Sequence, residues 1–441
     1  MKTLSPPQAF PPSVLECVRG IESGRWTAEQ LVRASLERAC AREHELHAWA
    51  YLGIDEALAQ ARQLDRSPCK GLLHGIPIGV KDLSDTATLP TSYGSPAYAG
   101  HRPVMDAACV ALARTAGAVI LGKTATVEFG ATRPCATTNP HDLQHTPGGS
   151  SSGSAAAVAD GQVLLATGTQ TGGSIIRPAA FCGVVGFKPG LGAISPAGTK
   201  GYAWSLDTVG ALATCVADVA LFFDALRGAR ASQPLPAHGN APRIGVFLGP
   251  FAGQASHAAI QAIDHVAARC CKAGASVRCV PPQPGFEHSL DWHRCISRYE
   301  MGRSLVPEQH SSSAAQLGSV LHQEIERGQH VDEQHYQHAQ AGRLELSSRF
   351  DTLMTRFDAL LTFATPGEAP RGLASTGDAT FNLSWSLLGL PCLSLPVAFG
   401  PSGLPLAVQL IGPRLGDRRL LEAAHWIENT VTPFKPAPLT T

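Results

Sequence analysis

Short, unbroken apolar runs recur between longer amphipathic stretches over most of this chain. Runs at residues 76–81, 118–121, 164–167, 184–187, 244–247, 360–363, 393–397 and 406–411 are too short for helices, and they predict buried strands. Amphipathic segments fill the gaps, notably at 106–116, 216–226, 257–272, 381–388 and 418–428. This alternation predicts an α/β fold: a mixed central β-sheet covered by helices on both faces. Upstream, Thr27-Ala28-Glu29-Gln30 reads as a capping box opening a helix to about Arg42, with Val32, Leu36 and Ala39 on one face. A second helix is expected at about 55–64. Residues 1–66 would then form an N-terminal helical arm and residues 67–441 the main domain. The most polar stretch lies within residues 281–370, which predicts helices outside the sheet forming one wall of a substrate funnel.

Composition narrows the function classes. With 441 residues, 44% hydrophobic and 16% charged, the chain is long enough for one large domain or two lobes and is not of disordered type. Its 35 basic and 35 acidic residues cancel, so there is no electrostatic footprint for nucleic acid and no basic run for a membrane surface. The 12 cysteines are scattered without a C-x-x-C pair, which suits reduced thiols in a cytoplasmic enzyme. The proline-rich leader, with Pro6, Pro7, Pro11 and Pro12, lacks the apolar core of a signal peptide. No apolar run approaches the ~18 residues of a membrane span.

The candidate chemistry sits in two glycine-serine clusters, Gly148-Gly149-Ser150-Ser151 and Gly172-Gly173-Ser174, and in an isolated lysine, Lys81, on an otherwise apolar strand. A hydroxyl on a glycine-rich turn becomes an acylatable nucleophile when a base stands behind it. Glycines also leave backbone N–H groups free to face a substrate oxygen. The stretch from Thr169 to Ala179 therefore reads as nucleophile, oxyanion pocket and helix start in one segment. Lysine acts as a base only when burial favours its neutral form. Strand alternation should send Lys81 and Asp82 to opposite faces, so the adjacent carboxylate need not hold the ammonium charged.

These and several further motifs resemble the amidase signature family. They are Gly75-Ile76-Pro77-Ile78-Gly79-Val80-Lys81-Asp82, Gly122-Lys123-Thr124 with Glu128-Phe129, Asn139-Pro140, Pro147 to Ser154, Cys182-Gly183, Gly186-Phe187-Lys188-Pro189, Asp207-Thr208-Val209-Gly210 and Gly389-Leu390-Pro391. The resemblance implies the amidase signature fold for residues 67–441, hydrolysis of an amide C–N bond, and no metal or cofactor. It assigns Ser174 as nucleophile, Ser150 as a serine following a cis peptide bond, and Lys81 as base. The N–H groups of Thr171, Gly172, Gly173 and Ser174 would form the oxyanion pocket.

Two departures within the family are informative. Its usual arginine two residues after the nucleophile is replaced by Ile176 and arrives instead at Arg177, and Gln170 stands where an acidic residue is usual. Both, with Trp204-Ser205-Leu206-Asp207, make the chain similar to malonamidases, which cleave the half-amide of a short dicarboxylic acid. That likeness implies a homodimer and a substrate carboxylate held by the planar fork of Arg177. The expected partner is thus a small-molecule amide, such as malonamate. An amidase for neutral or aryl amides, with Arg177 structural, is the alternative. So is the glutaminase subunit of a transfer-RNA-dependent amidotransferase complex.

Three other motifs have weaker readings. Gly117 to Thr124 matches the phosphate-loop string, but its apolar strand lies inside the stretch that should be the loop. Gly149-Ser150-Ser151-Ser152-Gly153 matches G-x-S-x-G, yet a polar, proline-bounded segment precedes it where that elbow needs a strand. His330, His335 and His338 fit a solvated helix face better than a metal site.

Overall fold

The apolar runs pair into one sheet of eleven strands. The computed structural model describes residues 13–68, 71–131, 133–236 and 239–431, so the proline-rich leader lies outside the described residues. The strands are β1 (Trp49–Leu52), β2 (Pro77–Lys81), β3 (Val119–Thr124), β4 (Leu165–Gln170), β5 (Val185–Lys188), β6 (Thr208–Ala213), β7 (Arg243–Val246), β8 (Ser276–Cys279), β9 (Ala359–Phe363), β10 (Cys392–Phe399) and β11 (Pro405–Ile411). Their order is β1-β3-β2-β4-β6-β5-β10-β11-β9-β7-β8. Parallel pairs (β2 with β3 and β4, β7 with β8 and β9) flank an antiparallel middle, so the sheet is mixed as expected.

Side-chain alternation divides the core between the two faces. Ile120 joins one apolar cluster while Val119 and Leu121 join another, and Leu361 and Leu360 divide likewise. Helices Val216–Leu226, His257–Lys272 and Asp417–Thr430 cover one face; Ser152–Ala159 and Ile176–Cys182 cover the other. The inner strands are thereby covered on both faces, which is why they read as continuous apolar runs.

The N-terminal segment departs from a purely helical arm. The capping box is present, with Thr27 Oγ1 accepting from the Gln30 N–H at 3.1 Å and Gln30 Oε1 from the Thr27 N–H at 2.9 Å, and the helix Ala28–Leu46 runs past Arg42. After it, β1 pairs antiparallel with β3 and adds an edge strand to the sheet. Four residues are too few for periodicity to show, so the pairing partner decides their state. Further along, β4 extends to Gln170, because Gly168, Thr169 and Gln170 pair with Gly210, Val209 and Thr208 of β6 despite their polarity. That extension carries Thr169 and Gln170 to the site.

Within 281–370, helices Ser319–Gln329 and Glu333–Met354 each pack against Ser289–Ser304 outside the sheet, and Ser289–Ser304 also meets the helix Thr380–Leu387. No helix among the described residues is long and apolar enough to cross a membrane.

Candidate active site

Lys81 ends β2 with its backbone N–H bound to Thr167 Oγ1 of β4 at 2.9 Å. Its fully buried amine lies 2.8 Å from Ser150 Oγ, 2.9 Å from Ser151 Oγ and 2.7 Å from Thr169 Oγ1, with the Thr169 carbonyl at 3.3 Å. No carboxylate among the described residues forms an ion pair with it. The neighbouring Asp82 turns the other way, 3.1 Å from Lys123 Nζ, and accepts from the Ser92 N–H and hydroxyl at 3.0 and 2.5 Å. Burial holds the Lys81 amine well below the usual lysine range, with the charges of Asp207 and Cys135 opposing that shift. A neutral amine has two N–H groups and one lone pair, so it cannot donate to all of these oxygens. In that state one of the three hydroxyls would donate to the lone pair, and Ser150, Ser151 and Thr169 are all within reach.

Ser150 follows Gly149 through a cis peptide bond, as the resemblance implied. Both carbonyls around it are held. The Gly149 oxygen accepts from Arg177 Nη2 at 2.7 Å, and the Ser150 oxygen accepts from Thr126 Oγ1 at 3.0 Å and the Val127 N–H at 3.3 Å. Gly148 has φ +81°, and a Cβ there would lie 2.8 Å from the Pro178 Cα. Only glycine fits that turn.

Ser174 is joined to this loop by its carbonyl, which accepts from the Ser151 N–H at 3.2 Å. Its hydroxyl forms no hydrogen bond among the described residues, to Ser150 or to any other group. The N–H groups of Thr171, Gly172, Gly173 and Ser174 likewise find no acceptor among the described residues. The next two N–H groups, of Ile175 and Ile176, close onto Gln170 Oε1 at 2.8 and 3.0 Å. Gln170 therefore tightens the loop so that its unpaired donors are consecutive and end at Ser174.

Sequence reasoning missed the residues that brace this loop. Thr171 Oγ1 donates to Asp207 Oδ1, while Asp207 Oδ2 accepts from the N–H groups of Tyr202 and Ala203 at 2.8 and 2.9 Å. Burial pushes the Asp207 carboxyl up to about 6. His293 Nε2 lies 2.9 Å from the Thr171 carbonyl, and Ser386 Oγ donates to the Gly172 carbonyl at 2.6 Å. Ser151, Thr169 and Asp207 stood inside or beside recognisable motifs; His293 and Ser386 carried no local signal.

Arg177 is buried and directed at main chain. Nη1 donates to the Gly377 carbonyl at 2.7 Å, and Nη2 donates to the Gly149 carbonyl and to Thr376 Oγ1 at 3.0 Å. Burial lowers its pKa to about 10, with Asp378 opposing the shift. The guanidinium thus clamps the Ser150 loop to the 376–377 segment, and only Nε lacks a partner among the described residues.

A cavity of ≈ 250 Å³ opens on Thr169 and Thr171, with Leu83, Phe129, Tyr202, Trp204 and Val209 among its walls. Ser304 brings the 281–370 segment to the same wall. The cavity's one lysine, Lys200, is paired with the buried Glu308 and lies 5.5–5.8 Å from the ring centres of Tyr93, Tyr98 and Phe129. The other motifs resolve simply. The phosphate-loop string runs through β3, and His330, His335 and His338 belong to no metal-sized group of ligands among the described residues.

Comparison with known families matches residues 30–421 to the family described as Amidase. A similar curated protein is one of the subunits of the Glutamyl-tRNA(Gln) amidotransferase of Cyanothece sp., 33% identical across 96% of this chain and 98% of its own length. Among solved structures, the peptide amidase of Stenotrophomonas maltophilia superposes with a TM-score of 0.80 at 28% identity, covering 96% of this chain and 98% of the other. A protein from a vestigial complex at the evolutionary origin of an s-triazine catabolic enzyme gives 0.88 at 29% identity, covering 96% and 100%. Two of these relatives are a peptide amidase and an amidotransferase subunit. The narrower likeness to malonamidases finds no counterpart among them.

Proposed function

Because this chain belongs to the amidase family, we propose that it hydrolyses the C–N bond of a small neutral amide with an apolar or aromatic acyl group. The reading rests on a lysine amine that meets only hydroxyl and carbonyl oxygens, one hydrogen bond from Ser150. Neutral Lys81 accepts the Ser150 proton, and Ser150 in turn takes the Ser174 proton as Ser174 Oγ attacks the amide carbon. The Ser150–Ser174 contact tightens as substrate is bound. The unpaired donors from Thr171 to Ser174 accept the negative charge that develops on the substrate oxygen. The same relay returns the proton to the leaving amine, and water then cleaves the acyl-enzyme at Ser174.

The cavity wall supports this substrate class. Its cation, Lys200, already faces Glu308, and Arg177 is bound to carbonyls. A malonamate-like acid would bring its carboxylate to walls with no uncommitted cation, whereas an aryl group would meet Phe129, Tyr202 and Trp204. A second reading, glutaminase component of a multi-chain amidotransferase, is favoured by the 33% identity to the Cyanothece amidotransferase chain over nearly the whole length.

Ammonia release from benzamide, glutamine and malonamate separates these, together with mass-spectrometric trapping of the acyl group on Ser174. Preference for benzamide by about tenfold or more supports the neutral-amide reading. Preference for glutamine, with co-purification of a partner chain, favours the amidotransferase reading. Undiminished hydrolysis by Ser174→Ala removes both.

A further inference from the structure

The oxyanion loop is held from outside at two successive carbonyls. His293 and Ser386 lie 122 and 214 residues from the positions they touch. In a trans peptide, the C=O of one residue and the N–H of the next lie in one plane and point in opposite directions. A bond that fixes the Thr171 carbonyl against helix Ser289–Ser304 therefore turns the Gly172 N–H away from that helix. The bond from Ser386 to the Gly172 carbonyl turns the Gly173 N–H in the same way.

We propose that His293 is a positioning residue for the amide-hydrolysing site: by holding the Thr171 carbonyl it aims the Gly172 N–H at the substrate oxygen, and Ser386 does the same for the Gly173 N–H. The inference rests on Ser174 being the nucleophile and adds what keeps its donors in place.

The chemistry of the two groups fits the role. His293 is 4% exposed, and burial lowers its pKa to about 4, so the ring is neutral and carries a single proton. Facing a carbonyl oxygen, Nε2 must hold that proton. Nδ1 is left buried with no partner among the described residues, a poor arrangement if the side chain served packing alone. Ser386 is oriented in turn: its oxygen accepts from Gln170 Nε2 at 3.0 Å, which leaves its proton for the Gly172 carbonyl. Glycines are needed because the helix Thr380–Leu387 approaches closely; a Cβ on Gly172 would lie 2.8 Å from Leu383 Cδ2, and one on Gly173 2.5 Å from Asn382 Oδ1. Glycine backbone is soft, so outside bonds must supply the order that side chains cannot.

The test compares His293→Leu, His293→Gln and Ser386→Ala with wild type, using benzamide hydrolysis and covalent labelling of Ser174 by a fluorophosphonate. Removing the donor should lower kcat by about 10–100-fold while KM stays within about twofold, because the loss falls on the transition state. His293→Gln, which keeps an amide N–H at the Nε2 position, should recover most of that loss. Folded His293→Leu with wild-type kcat overturns the proposal, as does a Gln variant as slow as the Leu variant. Should His293→Leu fail to fold, Ser386→Ala decides, since it removes the equivalent donor from a smaller side chain. Wild type that hydrolyses no amide and takes no label at Ser174 overturns the nucleophile assignment along with this inference. A labelled wild type with unimpaired variants overturns the inference alone.

Discussion

Asp82 lies 3.1 Å from Lys123 Nζ, with both side chains buried, although the residue preceding Asp82 in sequence is also a lysine. Lys123 Nζ is further bound to the Ser84 carbonyl at 2.7 Å and Thr91 Oγ1 at 2.6 Å. The pair neutralises the carboxylate next to the proposed base on the face of the strand that the base does not use. Removing Lys123 leaves a buried carboxylate without its cation, a change that typically costs about 3–5 kcal/mol. Lys123→Met should therefore lower the unfolding free energy by that amount in urea titrations. The double variant Asp82→Asn, Lys123→Met should recover most of it.

Lys81→Met should reduce kcat by about 10⁴-fold or more, the scale seen when a member of a nucleophilic triad is lost. Stability gives an independent check. Burial lowers the folded-state pKa of Lys81, so between that value and the unfolded ~10.4 the unfolded chain holds a proton that the fold excludes. Raising pH across that window should stabilise wild type relative to Lys81→Met. Below the folded pKa both states are protonated and the difference should be flat. Parallel unfolding curves at every pH would mean that the amine is charged in the fold.

What the sequence disclosed and what it hid follow from where each interaction reaches. Lys81, Ser150 and Ser174 were visible because glycine turns and an apolar strand are local patterns; the fold puts the Lys81 amine 2.8 Å from Ser150 Oγ and bonds the Ser151 N–H to the Ser174 carbonyl. The separation of Lys81 from Asp82 followed from strand periodicity alone. The last three residues of β4 lie beyond the apolar run that predicted the strand, because only pairing with β6 makes Gly168-Thr169-Gln170 a strand. His293 and Ser386 stayed hidden for a related reason: nothing near either residue points to a loop more than a hundred positions away. Arg177 was found, with a substrate carboxylate implied by the malonamidase likeness and a structural role as the alternative; its carbonyl partners come from residues 149 and 377, which no local pattern connects to it.

Gly173→Ala probes the close approach behind the 171–174 loop. The added Cβ would meet Asn382 Oδ1 at 2.5 Å and Asn382 Cβ at 3.1 Å. Asn382 cannot swing away freely, because its amide donates to the Ala364 carbonyl at 3.0 Å. The loop must shift instead, which should cost about 1–3 kcal/mol of stability. Activity should fall further than stability does, since oxyanion donors lose effect within fractions of an ångström. Wild-type kcat in a folded Gly173→Ala protein would show that the loop does not hold the reacting oxygen.

Arg177→Met separates the two roles open to that arginine. If the guanidinium clamps the Ser150 loop, the variant leaves the Gly149 and Gly377 carbonyls without their donor, at about 1–3 kcal/mol for the buried Gly149 group and less for the part-buried Gly377. The Gly149 carbonyl belongs to the peptide that carries Ser150, so the relay between Lys81 and Ser174 would loosen for every substrate. Hydrolysis of benzamide and of malonamate should then fall by the same factor. If the guanidinium instead bound a substrate carboxylate, malonamate would lose about 10²-fold or more while benzamide kept its rate, because only the acid would lose a charge-assisted partner. Steady-state kinetics on both amides, with unfolding curves for the variant, distinguish these outcomes. The three carbonyl and hydroxyl contacts of the buried guanidinium favour the first.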